Sequence, residues 1–556
     1  MNTHVENNTL CSLVTTICEP FHASTKTFLT LVLLAALFCV GSAQAADVTA
    51  AWNVNADGNW SLGSNWSGGI AATGTTGVAY FTNTITASRT VNLDSKPWTI
   101  NGLTFTNTGA NGWVITNGTL NLAGTKPSIT VYTNSTVTIQ STISGSVGLQ
   151  KNGPGQLILS GSNTFTSTVE IPSGELKLNS ATALNQTPGS EIYVNLNNTG
   201  GVAPTLTLNG NSITVSSLRG PKSNAAIQNA NTTPVTLTVG NTNNLISNLW
   251  DGTIRDGAGG GALTVVKMGT GLLNLGAGGN DFSGGLFIKA GTVQSGTTPS
   301  FGIAGVTLGD STVGQDAVMQ LRGNSPNVTN SIIIASGVGT RTILGIYNAT
   351  LLTTVSGPIT MNTNLTLQIT TATTSPTLIF SGGFVGTGSL TLRADNTTAG
   401  GIILSNASVN MTGQIINSGT GTVGFADTII KAVIGPNVTG ILQNSTNSIL
   451  KLSGANTAYA GTTMVSKGTL EITTNTCLGG TSSVVIADGG AKMKLNFIGT
   501  NTIKTLYFGD KLQYRGTWGS NASTADHKSN TYFESANTGV LKVTNGPVNG
   551  TMIRVF

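Results

Sequence analysis

The sequence predicts an all-β fold: a right-handed parallel β-helix, or β-solenoid, with aromatic-rich capping modules at its N-terminal and C-terminal ends. Three observations lead to this prediction. Apolar residues alternate with Thr, Asn or Ser over short runs, Gly or Asn ends each run, and one aromatic-to-glycine pattern recurs along the chain. After the first fifty residues no stretch has the composition of a long helix, which argues against a doubly wound α/β enzyme.

Composition narrows the class of protein further. Of 556 residues only 8% are charged, whereas about 25% is usual in soluble chains. The 38% hydrophobic content and net charge of +5 exclude an intrinsically disordered chain. The 73 glycines lack the three-residue register of collagen. No cluster of Lys and Arg indicates nucleic-acid binding. The polar surface must therefore consist mainly of hydroxyl and amide groups, which suits an extracellular β protein.

The N-terminal segment is predicted to be a signal peptide covering residues 1–45. An apolar run at 28–40 follows Lys26 and is too short to cross a bilayer as a helix. Small residues at Ala43 and Ala45 then mark a cleavage site. We expect cleavage near Ala45, although the true start codon is left open. The mature chain is then secreted, extracellular or on the outer cell surface, with no transmembrane anchor.

Cysteine usage fits export without disulfide bonds. Cleavage would remove three of the four cysteines and leave Cys477 as the one thiol of the mature chain. An intramolecular disulfide is then impossible, so stability must come from hydrogen-bonded sheets and apolar stacking.

Short β-strands are predicted along most of the chain from residue 95 onward. Typical segments lie at 116–122, 128–133, 205–210 and 235–240, where β-branched and apolar residues occupy every second position. This alternation alone would equally suit a β-sandwich or a barrel.

Internal repeats favour the solenoid. In three copies an aromatic residue precedes a glycine by nine residues; the pairs are Phe165 and Gly174, Phe282 and Gly291, and Tyr459 and Gly468. A fourth copy at 386–396 keeps only the first half of the pattern. One copy cannot bury its own apolar face, but stacked copies can. We expect the glycine and asparagine positions to be corners of the coils.

These copies resemble the autotransporter-associated β-strand repeat, also called the passenger-associated transport repeat. The Trp-rich segment after residue 51 and the closing segment after Leu506 resemble the ends of exported bacterial proteins that carry this repeat. The resemblance implies a β-helical passenger that a Gram-negative-type cell exports and then displays or releases. The route past the outer membrane is left open.

Four segments follow from these patterns. Residues 1–45 are the signal peptide, and 46–125 hold a Trp-rich N-terminal cap with the first coils. Residues 126–495 are the β-solenoid, whose best repeats lie at about 148–178, 263–293 and 449–472. Residues 496–556 are the C-terminal closing module.

Acidic residues are the first candidates for chemistry, because β-helical polysaccharide lyases and hydrolases need clustered carboxylates. The densest cluster contains Asp251, Arg255 and Asp256, and a second pair is Asp310 with Asp316. In both places Asp lies near Gly, so we expect charged turns rather than catalytic sites. The Gly- and Asp-rich segment 276–281 occurs once, whereas calcium-binding repeats of that kind need stacked copies.

The predicted mature chain has few residues that could carry out nucleophilic catalysis. His527, next to Asp526, is its one histidine and lies in a polar loop, while Cys477 has no histidine nearby in the sequence. No ligand spacing for a metal occurs, and no helix follows a glycine-rich segment to bind phosphate. We therefore predict no catalytic, cofactor-binding or metal-binding residues and no cofactor.

Aromatic residues gather near both ends of the chain. They are Trp52, Trp60, Trp66, Trp98 and Trp113 at one end, and Tyr507, Tyr514, Trp518, Tyr532 and Phe533 at the other. Such rings could stack on sugars, but end coils also need bulky side chains to seal the core, and we expect the second role.

The sequence therefore predicts a secreted or cell-surface structural or adhesive solenoid without catalysis. Possible partners are polysaccharide, a cell surface, extracellular matrix or further copies of the chain, and nucleic acid is excluded. The alternatives are a polysaccharide-active β-helix enzyme, either a lyase or a glycoside hydrolase, and a carbohydrate-binding extracellular protein. Binding of ordered water by flat threonine arrays is a further alternative, against which the irregular repeat length argues.

Overall fold

A computed structural model describes residues 46–548 except 107–109, 241–247, 277–278, 297–300, 323–326, 347–351, 371–376, 399 and 422–425. The predicted signal peptide, residues 1–45, lies outside the described residues. The helices of the described part are two single-turn 3-10 segments, Gly63–Asn65 and Ser67–Gly69. All other regular structure in these residues is β-strand.

The described strands form a parallel β-solenoid of about 16 turns. Strands at equivalent positions of successive coils pair side by side, so neighbours in a sheet are separate in sequence. Among paired named strands of the described chain, antiparallel pairing occurs only in the last part, after residue 504. The prediction of an all-β parallel solenoid is therefore confirmed, and neither a sandwich nor a barrel is present in the described residues.

Three sheets lie entirely in the N-terminal half. Sheet 1 consists, in spatial order, of β1 (Ala50–Ala51), β3 (Val78–Phe81), β6 (Gly102–Phe105), β9 (Ser128–Val131), β12 (Leu149–Asn152), β14 (Ser167–Glu170), β16 (Ile192–Asn195) and β19 (Ser217–Arg219). Sheet 2 consists of β2 (Gly58–Asn59), β4 (Arg89–Asn92), β7 (Trp113–Thr116), β10 (Thr136–Ile139), β13 (Gln156–Leu159), β15 (Glu175–Leu178), β17 (Thr205–Thr207), β20 (Ala226–Gln228) and β23 (Thr253–Arg255). Sheet 3 contains only β5 (Pro97–Ile100), β8 (Thr119–Leu122) and β11 (Thr142–Ser144).

Three more sheets run through the C-terminal half. Sheet 4 consists of β18 (Ile213–Val215), β21 (Val235–Val239), β24 (Leu263–Lys267), β26 (Leu286–Ile288), β28 (Val306–Leu308), β31 (Ile332–Ile334), β34 (Ile359–Met361) and β37 (Phe384–Gly386). Sheet 5 has 13 strands, namely β22 (Asn248–Trp250), β25 (Leu272–Leu275), β27 (Gly291–Ser295), β29 (Ala317–Arg322), β32 (Arg341–Ile346), β35 (Leu365–Thr370), β38 (Leu390–Ala394), β40 (Gly413–Asn417), β42 (Val438–Asn444), β44 (Thr462–Lys467), β46 (Ser483–Ile486), β49 (Thr505–Phe508) and β50 (Lys511–Leu512). Sheet 6 consists of β30 (Asn327–Val328), β33 (Leu352–Val355), β36 (Thr377–Phe380), β39 (Gly400–Leu404), β41 (Ala426–Ile430), β43 (Leu450–Leu452), β45 (Thr469–Ile472) and β47 (Lys492–Leu495).

A small sheet ends the described chain. Sheet 7 consists of β48 (Thr500–Ile503), β53 (Val540–Val543), β51 (Gly516–Gly519) and β52 (His527–Lys528).

Apolar ladders inside the coils form the core. In sheet 2 one inward ladder passes through Val137, Leu157, Leu176, Leu206, Ile227 and Ile254, all of them fully buried. Each such side chain contributes about 1.5–3 kcal/mol when it leaves water. The alternation in the sequence therefore arises because one face of every strand lines this core.

The closing glycines of the three best repeats are corners, as predicted. Gly174, Gly291 and Gly468 have φ of +70°, +69° and +65°, in the left-handed region that favours glycine. A Cβ at Gly291 would also lie 2.3 Å from the carbonyl oxygen of Gly269 in the preceding turn. Both the conformation and the close approach therefore require glycine.

Aromatic clusters lie at both ends of the solenoid. Trp60 contacts Trp66 with ring centroids 4.7 Å apart, and Trp52 contacts Trp66 at 5.2 Å; all three are buried. At the other end Phe508 stacks on Tyr532 with centroids 3.9 Å apart. The prediction of aromatic-rich ends is confirmed.

Candidate interaction face

The densest charged cluster of the sequence lies around β23. The Asp256 carboxylate accepts the backbone N–H of Leu263 at 2.7 Å and that of Ser283 at 3.1 Å, which joins its own coil to the next. Arg255 donates to the side chain of Gln228 at 3.1 Å. These contacts give Asp256 and Arg255 structural roles in a turn and across neighbouring coils.

Asp310 and Asp316 lie in the turns around a buried arginine. Asp310 accepts the hydroxyl and N–H of Thr312 and pairs with Lys289 at 3.0 Å, and the Thr312 hydroxyl is the main reason that its pKa lies well below the usual range. Asp316 accepts the N–H of Thr340 at 2.7 Å, which lowers the pKa of that carboxyl.

The guanidinium of Arg341 is surrounded by backbone carbonyls. Arg341 is 1% exposed and donates to the carbonyl oxygens of Gln315 at 3.2 Å and Asp310 at 3.1 Å. Burial lowers the pKa of Arg341, and the nearby carboxylates of Asp316 and Asp310 oppose that effect. Both carboxylates therefore support a turn that encloses one buried cation.

His527, Asp526 and Cys477 are also held in structural contacts. His527 stacks on Trp518 with centroids 4.5 Å apart, and the neighbouring Asp526 accepts the Thr517 hydroxyl at 2.7 Å. Cys477 is buried, and its thiol donates to the carbonyl of Leu452 at 3.0 Å. Within the described parts of the chain, no three His, Cys, Asp or Glu side chains form a metal-binding group. Residues 277–278 of the glycine-rich segment lie outside the described residues.

The asparagines of the repeats do not occupy left-handed corners, contrary to our expectation. Asn163, Asn280 and Asn456 point into the core, and none of them has a positive φ. Asn163 accepts the N–H of Ile143 at 2.7 Å and donates to the carbonyl of Ala183 at 2.7 Å, so its amide bridges the preceding and following coils. An inward amide at this position hydrogen-bonds a buried backbone N–H and a buried carbonyl that have no partner in a neighbouring strand.

Each of these asparagines accepts the backbone N–H of a residue at the end of one sheet. Ile143 lies in β11, the last strand of sheet 3, and Ile254, whose N–H donates to Asn280 at 2.8 Å, lies in β23, the last strand of sheet 2. Beyond β37, isolated bridges from Phe384 to Val409 and from Val409 to Ile434 continue sheet 4. Ile434, at the end of this series, donates its N–H to Asn456 at 2.7 Å. The three best repeats therefore mark coils at which a sheet ends.

A second inward polar position belongs to the repeats. The ammonium of Lys151 donates to the carbonyls of Gly153 at 2.6 Å and Ser173 at 3.1 Å, and Lys267 donates to the carbonyls of Met268 and Gly269. Burial lowers the pKa of Lys151 to about 7 and that of Lys267 to about 8. Near the start of the last repeat, Gln443 instead donates to the carbonyl of Ser445 at 2.8 Å. Sequence reasoning missed these residues, although a Lys recurs at the same place in two copies.

A cleft of about 490 Å³ lies beside the loop 185–191 and also contacts Thr214, Thr238, Gly240 and Met268. The amide of Gln186 donates to the carbonyl of Thr214 at 3.1 Å and accepts its N–H at 2.7 Å. Thr214 lies in β18, the first strand and thus the edge of sheet 4. The Gln186 side chain therefore hydrogen-bonds the backbone of this edge strand, as a neighbouring strand would. The loop thus has a structural function.

The outward side of sheet 5 presents a continuous row without charge. Backbone pairing aligns one outward residue from each of eleven strands, which we name the uncharged row: Thr292, Val318, Thr342, Thr366, Thr391, Ile416, Leu442, Met464, Val485, Tyr507 and Leu512. Its first half is mainly Thr, and its last six positions are all apolar or aromatic. Met464 is 38% exposed and Leu512 is 41% exposed.

The other faces of the C-terminal half differ from this row. Sheet 4 carries a shorter outward row without charge: Thr214, Thr238, Val266, Phe287, Thr307, Ile333, Thr360 and Val385. On sheet 6 the corresponding row ends in Lys451, Glu471 and Lys494, and Lys494 pairs with Glu471 at 3.2 Å. The uncharged row is thus the longest of these three.

Comparison with known proteins agrees with the repeat pattern. Residues 149–178, 265–294, 385–409 and 447–472 match the family model of the passenger-associated-transport-repeat. The adhesin BmaC autotransporter of Brucella suis biovar 1 (strain 1330) is 36% identical over 126 residues, which is 23% of this chain and 4% of that protein. The chain thus covers a small part of that relative. No solved structure matches this chain.

Among the described residues, no helix has the length and hydropathy needed to span a membrane.

Proposed function

Because this chain is a β-solenoid that carries four passenger-associated transport repeats, we propose that it is a secreted or cell-surface adhesive scaffold without catalytic activity. Its outward rows would contact other surfaces, while the coils hold those rows in place. The relative from Brucella suis is an adhesin by name, which supports an adhesive role for this chain.

The contrast between the candidate catalytic groups and the outward rows of sheets 4 and 5 is the main support for this proposal. The carboxylates of Asp256, Asp310 and Asp316 are held in structural contacts. The outward rows on sheets 4 and 5, in contrast, carry hydroxyl and apolar side chains, and several of these are exposed to solvent. Contiguous exposed apolar surface in soluble proteins usually marks an interaction site. Adhesion uses such surface directly, whereas hydrolysis or elimination at a glycosidic bond would require free, clustered carboxylates.

A binding array tests the proposal. The purified full chain is applied to immobilised glycans, extracellular-matrix proteins and whole cells, and polysaccharide degradation is assayed in parallel. We expect retention on at least one surface without turnover of any polysaccharide. Turnover would support the polysaccharide-active alternative instead, and retention on glycans alone would restrict the adhesive role to carbohydrate binding.

Variants locate the contact surface. Ile333→Glu places a charge on the outward row of sheet 4, and Met464→Glu places one on the uncharged row. Val338→Glu is the matched control, because Val338 is 74% exposed in a loop outside both rows. We expect one row variant to weaken retention at least about tenfold and the control to change it less than twofold. Equal retention by all three variants would contradict the assignment of adhesion to these rows.

A further inference from the structure

The uncharged row has dimensions that suit a protein partner. Its eleven positions span ten strand-to-strand steps, or about 48 Å at the usual spacing of ~4.8 Å. With neighbouring outward side chains the face is about 15 Å wide, since two residues along a strand cover ~7 Å. The resulting area, about 700 Å², is close to the ~800 Å² that each partner contributes to a standard protein interface. A single glycan chain would cover only a strip of it.

The charge distribution suits a second copy of the same chain. The parallel outward positions beside the apolar half are also uncharged: Gln414, Gly440, Thr462, Ser483 and Thr505. Arg393, near the middle of the sheet, is paired with Asp395 at 2.9 Å. The chain carries a net charge of +5, which opposes association of two copies, but the uncharged row itself adds no charge to the contact. The exposed Lys467 and Lys511 lie in the same sheet but outside the row.

The side-chain sizes suit packing of one sheet against another. Sheets pack about 10 Å apart when aliphatic and small residues interdigitate, and this row combines Thr and Val with Ile, Leu and Met. A two-fold arrangement would place the larger apolar half of one copy over the smaller threonine half of the other.

From these observations we propose that two copies of the chain dock face to face through the uncharged row, about a two-fold axis near Ile416. Ile416 occupies the sixth of the eleven positions, so an axis there brings it close to its counterpart in the second copy. This inference does not depend on the adhesive role, because association is measured with no other surface present.

Sedimentation velocity over a concentration series tests the proposal with the purified full chain. We expect a concentration-dependent dimer that Ile416→Glu or Ile416→Lys shifts to monomer, weakening association at least about tenfold, because each change places like charges together at the axis. An equimolar mixture of the two variants should associate again, since Glu then faces Lys. A mixture that stays monomeric would overturn the two-fold arrangement.

Ile333→Glu is the control for added charge, because Ile333 is 44% exposed on the outward row of sheet 4. It should dimerise like the parent chain, and circular dichroism with thermal melting should show that all variants fold. Met464→Glu is a second row variant that should also weaken association if Ile416→Glu does not fold. A monomeric parent chain, or association unaffected by the row variants, would overturn the proposal.

Discussion

Substitution of Asn456 by leucine should destabilise the coil at which sheet 4 ends. The Asn456 side chain is fully buried, accepts the N–H of Ile434 at 2.7 Å and donates to the carbonyl of Cys477 at 2.8 Å. Leucine has a similar size but can make neither bond, so one N–H and one carbonyl lose their partner inside the protein. Each unpaired buried group costs about 1–3 kcal/mol, which gives ~2–6 kcal/mol of local destabilisation.

Hydrogen exchange followed by mass spectrometry measures this effect where it arises. The amide of Ile434 should exchange at least about thirtyfold faster, the equivalent of ~2 kcal/mol. Because solenoid coils interact mainly with their neighbours, the amide of Ile143, which is bonded to Asn163, should keep its protection.

The matched control is Asn437→Leu, because Asn437 is exposed in the adjacent turn. That change should alter stability by less than about 0.5 kcal/mol and leave the exchange of Ile434 unchanged. If Asn456→Leu also left the exchange at Ile434 and the denaturation midpoint unchanged, the bridging role of the repeat asparagine would be refuted.

Three further predictions concern single positions. The pKa of Lys151 is lowered by burial from 10.5 to about 7, against an opposing effect of Glu175, so the unfolded chain binds more protons between these values. The free energy of unfolding should therefore rise between pH 7 and pH 9 by about 1–3 kcal/mol relative to Lys151→Met in denaturant titrations, and a constant difference would contradict the lowered pKa. At Gly309 a Cβ would lie 1.7 Å from Nε of Arg341, so Gly309→Ala should lower the melting temperature, and an unchanged value would show that Arg341 can move aside. Gln186→Ala opens the edge of β18 and should raise light scattering on storage, whereas the neighbouring exposed Thr187→Ala should not.

Local residue patterns were sufficient to predict the class of fold. Alternation of apolar and polar residues arises because one face of each strand lines the core, and this is readable from neighbouring positions. The nine-residue spacing from Phe165 to Gly174 also predicts a corner, since only glycine adopts its conformation freely. The family of the repeat could be recognised for the same reason, as its pattern is contained within one coil.

The roles of the inward polar residues could not be predicted in this way. Asn163 looks like a turn residue in the sequence, but its amide bonds to residues twenty positions away in each direction. Lys151 looks like a surface charge, but its ammonium is enclosed by backbone carbonyls. Partners of this kind are set by the stacking of coils rather than by neighbouring residues.

The amino-acid sequence by itself determined that this protein is built from short strands, glycine corners and stacked repeats, because each of these depends on local periodicity and backbone freedom. Only the tertiary structure decided which residues share a face. Coils differ in length, from nineteen residues between Leu157 and Leu176 to thirty between Leu176 and Leu206, so no fixed period aligns them. The uncharged row exists because backbone pairing sets the register of each strand on the one before it.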